Sequence, residues 1–219
     1  MNLVHTLYEP EGAGPHPTIL TLHGRGANAF DLLGLAPYLC GGRFMLICPQ
    51  GPLETPIGPG AVGYAWYPLT HGGPPDVPAM MSAREQLDAF LDAAIERYPV
   101  DRKRLVALGF SQGGVMAYSL TLQKPDRFAA LVALSSWLPT EMFSGAPSAQ
   151  SLPTLVHHGS RDQMIDVERA RSSVEKLRDW RVPVSYREYD MGHEITGQGL
   201  ADLSSWLEEK VLTPVLLAR

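Results

Sequence analysis

The chain has 219 residues, 45% hydrophobic and 19% charged, which suits one compact domain over 1–219 and argues against disorder. Eighteen Lys and Arg against 23 Asp and Glu leave a formal charge of −5, which argues against a nucleic-acid partner, since such a partner calls for a basic face. No stretch reaches the ~20 apolar residues of a membrane span, so no stable membrane insertion is expected.

The N-terminal residues, Met1 to Pro10, lack a basic segment followed by an apolar run. No signal peptide is read there, and a soluble, cytoplasmic product is expected. The first strand expected is 18–22 (Thr-Ile-Leu-Thr-Leu), a β-rich apolar run that suits a strand buried on both faces of a parallel sheet. It ends in His23-Gly24-Arg25-Gly26-Ala27-Asn28, where Asn28 is placed to cap a helix running to about Leu39. A second strand, 44–48, is stopped by Pro49. Its flanking cysteines, Cys40 and Cys48, are read as two buried thiols rather than a disulfide.

Pro and Gly fill 14 of the 30 positions from 49 to 78, so a long irregular loop is expected there with at most a turn or two. It carries Tyr64-Ala65-Trp66-Tyr67. Trp66 and Tyr67 either wall a substrate pocket or pin the loop to the core, and the two readings are compatible. From 79 to 98 the apolar residues Leu87, Phe90, Leu91, Ala94, Ile95 and Tyr98 recur at helical spacing, and Pro99 ends the helix. A strand over 104–108 and a helix from 114 to about 124 follow. Strands at 128–135, 153–159 and 183–189 alternate with a charged amphipathic helix at 167–181 and a closing helix at about 199–211. Alternating strands and helices give an α/β fold, a doubly wound and mostly parallel sheet flanked by helices. In such sheets function collects at the carboxyl ends of the strands.

Between the 104–108 strand and its helix lies Gly109-Phe110-Ser111-Gln112-Gly113. Strand, Gly-x-Ser-x-Gly, helix is the layout of a nucleophile elbow, and an ordinary glycine-rich turn is the bland alternative. A sharp turn strains the serine backbone, so small residues are needed two positions to either side. A helix N-terminus beneath the hydroxyl favours a developing oxyanion. A serine needs a base in reach, and the base needs an orienting acid. In this layout the order is serine, acid, histidine, which selects His193 as base in Gly192-His193-Glu194. Asp162 is the preferred acid. Asp166 is explained as a helix cap, and Asp190 is too close in sequence to His193.

Two backbone N–H groups should form the oxyanion hole: Gln112 after the nucleophile, and Arg25 in the loop after the early strand, with Gly26 second. Gly24 and Gly26 let the backbone approach a substrate closely. The Arg25 side chain either binds a substrate carboxylate or phosphate or pairs with a loop acid, the commoner arrangement. No metal or cofactor is expected. His157 and His158 are adjacent and point to opposite faces of a strand, and 109–114 lacks the Lys-Ser/Thr of a phosphate loop.

These segments together carry a resemblance. Leu22-His23-Gly24-Arg25-Gly26, Pro49-Gln50-Gly51-Pro52, Ala65-Trp66-Tyr67, Gly109-Phe110-Ser111-Gln112-Gly113-Gly114, His158-Gly159-Ser160-Arg161-Asp162 and Gly192-His193-Glu194 resemble the phospholipase/carboxylesterase family of α/β-hydrolases, which includes acyl-protein thioesterases. The resemblance implies an α/β-hydrolase fold with no large lid domain, and Ser111, Asp162 and His193 acting on carboxylic esters of small to medium acyl chains. It also supports Arg25 and Gln112 as oxyanion donors. Thioesters or lysophospholipids are the nearest alternative substrates, and a non-catalytic binding protein is the reading from another class. Two features depart from the family: Arg25 stands where an apolar residue is common, and Thr70-His71-Gly72-Gly73-Pro74-Pro75 has no counterpart. A C-terminal run, Val215-Leu216-Leu217, could serve a homodimer or pack back on the domain.

Overall fold

A computed structural model describes residues 2–69 and 73–213. In chain order the elements are β1 (His5–Tyr8), β2 (His16–Leu22), β3 (Met45–Pro49), β4 (Leu53–Gly58), β5 (Ala61–Ala65), α1 (Val77–Arg97), β6 (Val100–Phe110), α2 (Gln112–Gln123), β7 (Ala130–Leu134), β8 (Thr154–Gly159), α3 (Val167–Asp179), β9 (Val184–Tyr189) and α4 (Gly197–Leu207). Seven strands form one sheet in the order β1-β3-β2-β6-β7-β8-β9. Only β1 runs antiparallel, against β3. This edge strand was not foreseen.

The strands are apolar on both sides because both faces are covered. Leu20, Leu22, Ala107, Leu131 and Ala133 point into the cluster formed with α1, α2 and α3. Their neighbours Ile19, Val106, Leu108, Ala130 and Val132 point the other way, onto α4 and residues 32–39. α2 is buried all round, from Gln112 to Leu122. The two cysteines are free and buried, as the sequence led us to expect. Among the described residues no helix is long and apolar enough to cross a membrane.

The helix boundaries follow local chemistry. Asp76 caps α1 by accepting from Ala79 N, Asp166 caps α3 through Glu168 N, and Thr196 caps α4 through Gly199 N. α2 alone among the four has no side-chain cap, so its first N–H groups are left to serve something else.

Two expectations are corrected. No α-helix follows Asn28. Its Oδ1 accepts from Phe30 N and closes a local turn, and the chain then takes a 3-10 helix over Leu33–Tyr38. Gly34 and Pro37 explain this, since neither supports an α-helical ladder. Residues 49–78 are not an irregular loop throughout, because β4 and β5 pair as an antiparallel hairpin. Gly58, Gly60 and Gly63 masked the strand alternation. Pro56 is tolerated because a two-stranded ribbon leaves each strand one unpaired edge. Of the departing segment 70–75, residues 70–72 lie outside the described residues, as do Val215, Leu216 and Leu217.

Candidate active site

The strand order reverses at β2, with β3 on one side and β6 on the other. The crevice at the carboxyl ends of β2 and β6 is therefore the topological switch point of the sheet. Ser111 and the 23–26 loop emerge there side by side.

Ser111 sits between β6 and α2 with φ 52° and ψ −120°, a left-handed conformation that strains a residue with a side chain. The glycines around it are required sterically. A Cβ at Gly109 would lie 2.2 Å from Gly113 O, and one at Gly113 would lie 1.9 Å from Leu22 O. The serine backbone is tied in place by its N–H donating to Leu134 O at 2.9 Å and by Ser136 Oγ donating to its carbonyl at 2.8 Å.

The structure brings His193 and Asp162 together. His193 Nδ1 donates to Asp162 Oδ2 at 2.8 Å, which leaves Nε2 as the acceptor nitrogen. The imidazole packs on Phe110, the residue before Ser111, with ring centroids 4.9 Å apart. Asp162 Oδ1 accepts from Met164 N at 2.8 Å and Ile165 N at 2.9 Å. Burial pushes the Asp162 carboxyl up, but the bonds from Ile165, His193 and Met164 outweigh it and hold the group below the usual carboxylate range. No hydrogen bond joins Ser111 Oγ to His193 among the described residues, and such bonds are often long before substrate binds.

The rivals of Asp162 are placed elsewhere. Asp166 caps α3, and Asp190 pairs with Arg161 at 2.7 Å on the exposed surface. That pair contributes indirectly. Arg161 N donates to Met191 O at 3.0 Å and Ser160 N to Tyr189 O at 2.8 Å, so the Asp162 turn splints the His193 loop.

On the other side of Ser111 lies the 23–26 loop. A Cβ at Gly24 would stand 3.4 Å from Ser111 Cβ, so the two backbones are in near contact. Gly26 N donates to Tyr64 O at 2.8 Å, which removes Gly26 as the second-choice oxyanion donor. The N–H groups of Arg25 and Gln112 have no partner among the described residues.

A model of the phospholipase/carboxylesterase family matches residues 8–211. The chain belongs to this family. Relatives include acyl-protein thioesterase 1 of Mycosarcoma maydis, 24% identical over 226 residues, covering 91% of this chain and 93% of that protein. A probable carboxylesterase, SOBER1-like, of Arabidopsis thaliana is 28% identical over 174 residues, covering 74% of this chain and 64% of that protein. Among solved structures, the Bacillus cereus carboxylesterase aligns with a TM-score of 0.82 at 22% identity, over 94% of both chains.

In this family member the aromatic segment of the long loop is held by a network the sequence only half disclosed. The Gln112 side chain accepts from Trp66 N at 2.8 Å and donates to Tyr67 O at 2.7 Å. Trp66 Nε1 donates to His23 O at 2.9 Å, and Gly51 N donates to His23 Nε2 at the same distance. His23 Nδ1 therefore carries the proton and donates to Gly24 O at 2.7 Å. Burial pushes the His23 imidazole below its ordinary value and keeps it neutral. Trp66 and Tyr67 are buried, so pinning the loop is their observed place. His23 went unremarked, although its position before Gly24 and among buried apolar residues was a signal.

Among the described residues the Arg25 side chain pairs with no loop acid. Its Nη2 donates to Thr55 Oγ1 on β4 at 2.7 Å. Another unforeseen contributor is His158, fully buried, whose Nε2 donates to Ile165 O at 2.8 Å and steadies the turn that feeds Asp162. His157 faces elsewhere, toward Tyr189. Among the described residues no group of three or more His, Cys, Asp or Glu is placed to hold a metal ion.

Proposed function

We propose that the protein is a serine carboxylesterase with Ser111 as nucleophile, His193 as general base and Asp162 as its orienting acid. The observation that carries this reading is the 2.8 Å bond from His193 Nδ1 to Asp162 Oδ2, beside a serine at φ 52° on an uncapped helix start. The bond fixes the histidine tautomer, so Nε2 is basic and faces away from the carboxylate. Ser111 Oγ attacks the ester carbonyl as Nε2 takes its proton. The free N–H groups of Arg25 and Gln112 stabilise the oxyanion. His193 then protonates the leaving alkoxide, and water, activated by the same histidine, clears the acyl-enzyme. Gly24 and Gly26 allow this close approach, and Trp66 and Tyr67 support the site from behind through Gln112. Ile57, exposed on the hairpin and packed on Gly26, offers an apolar contact for acyl groups of small to medium length.

Labelling the intact protein with a fluorophosphonate, followed by peptide mapping, tests the scheme. A single adduct on Ser111 is expected, and no adduct on folded protein overturns it. The kinship to acyl-protein thioesterase 1 favours one alternative substrate class, acyl thioesters, on the same three residues. Comparing p-nitrophenyl esters with acyl-CoA substrates separates the two.

A further inference from the structure

The mechanism above uses Arg25 through its backbone alone, and the side chain is left with no part in it. Gly24 touches Ser111, so the next residue stands at the rim of the crevice, where the Arg25 side chain is exposed. Among the described residues it is held there by one side-chain hydrogen bond, Nη2 donating to Thr55 Oγ1 at 2.7 Å. Thr55 is buried on the hairpin, which is itself fastened to the 24–27 loop by Gly26 N donating to Tyr64 O and Tyr64 N donating to Ala27 O, each at 2.8 Å. The anchor is therefore firm, and it is neutral. A hydroxyl positions a guanidinium without cancelling its charge.

Several other arginines are neutralised by carboxylates, although Arg84, Arg97, Arg169, Arg178 and Arg181, like Arg25, have none in ion-pair distance among the described residues. Arg161 pairs with Asp190, Arg171 with Glu168 and Glu188, and Arg187 with Asp202. Arg25 has no carboxylate in ion-pair distance among the described residues. A guanidinium has five N–H donors in a planar fork, and Thr55 takes one. The remaining donors match the two oxygens of a carboxylate.

We propose that Arg25, positioned by Thr55, is an anion subsite that selects esters bearing a carboxylate a few bonds from the reacting carbonyl. This rests on the esterase reading above. The test compares kcat/KM for p-nitrophenyl hemiglutarate, an anion, with that for p-nitrophenyl valerate, its neutral counterpart of equal acyl length. In Arg25→Met the anionic-to-neutral ratio should fall roughly tenfold, as loss of a charge-assisted contact predicts. The backbone N–H survives that substitution, so the ratio isolates the side chain. Thr55→Val should lower the ratio several-fold by freeing the guanidinium. In the unaltered protein the ratio should fall as salt rises. Equal ratios in the wild type and Arg25→Met overturn the subsite. Should Arg25→Met not fold, a ratio that is flat with salt in the wild type overturns it instead. Fluorophosphonate labelling of the same wild-type sample separates the two failures. An adduct on Ser111 with equal ratios removes the subsite alone, and no adduct removes the esterase reading beneath it.

Discussion

The two walls of the crevice are built on different principles. The elbow wall, β6 through Ser111 into α2, is fixed by backbone against backbone. A Cβ at Gly109 would fall 2.2 Å from Gly113 O and one at Gly113 1.9 Å from Leu22 O, and α2 is buried all round. The hairpin wall, residues 51–67, meets the 24–27 loop by two backbone bonds at Tyr64 and is otherwise hung from side chains: Gln112 holds Trp66 and Tyr67, His23 holds Gly51, and Arg25 reaches Thr55. Its outward residues Ile57 and Val62 are each 54% exposed. Close-packed backbone cannot drift, so it suits chemistry that tolerates little displacement. A polar suspension under an exposed ribbon can vary in sequence, which suits the part that meets different substrates.

The strongest way to break the elbow wall is chemical. Ser111→Ala should lower kcat on p-nitrophenyl esters by roughly four orders of magnitude or more, with an unchanged near-UV circular dichroism spectrum. Retention of wild-type turnover would remove Ser111 from the mechanism. Asp162→Asn should cost on the order of 10³–10⁴ in kcat, because an amide no longer selects the Nδ1–H tautomer of His193. A loss of less than tenfold would shift the acid to another residue.

A smaller effect tests the sheet behind the site. Burial, with Arg187 nearby, pushes His157 from an ordinary 6.5 to about 4, with Asp202 opposing. A folded-state value below the unfolded one means that the unfolded chain takes the proton first. The stability is fully present above pH 6.5 and is lost as pH falls toward 4, by about 3 kcal/mol at most. Denaturant melts at pH 7 and pH 5 should show this loss, and His157→Gln should flatten it. An unchanged slope in that variant would assign the titration elsewhere. The smallest change expected is at the hairpin wall. Gln112→Ala leaves Trp66 N and Tyr67 O without their partners at a cost of about 1–3 kcal/mol, read as a lower denaturation midpoint. Because the Gln112 backbone N–H is kept, kcat should fall far less than in Ser111→Ala. Equal losses would mean that the two walls are not separable.

The same contrast explains what was legible in the sequence. The parallel strands 18–22, 104–108 and 153–159 and the elbow announced themselves because double-sided burial and steric necessity leave few residue choices. Asp162 and His193 could be placed by strand ends and chain order. The hairpin was hidden because its glycines answer to contacts far away in sequence, as at Gly63, where a Cβ would meet Gly26 O at 1.9 Å. The 28–39 segment misled because Asn28 has the chemistry of a cap, while Gly34 and Pro37 decide the outcome downstream. The partner of Arg25 was unreadable. A threonine thirty positions away carries no sequence signal of pairing, and a loop acid was the reasonable guess.

The anchors at Gly51 and Trp66 bracket the hairpin at its two roots, one on His23 and one on Gln112. Between those clasps Thr55, Gly63 and Tyr64 fasten the ribbon to the 24–27 loop, while its tip, residues 56–62, stays exposed. The tip is thus an interchangeable cassette. Grafting a turn of another length or composition between residues 56 and 62 should leave the roots clasped and the 24–27 loop and Ser111 undisturbed, so that selectivity could be rewritten by transplantation rather than by repacking a core.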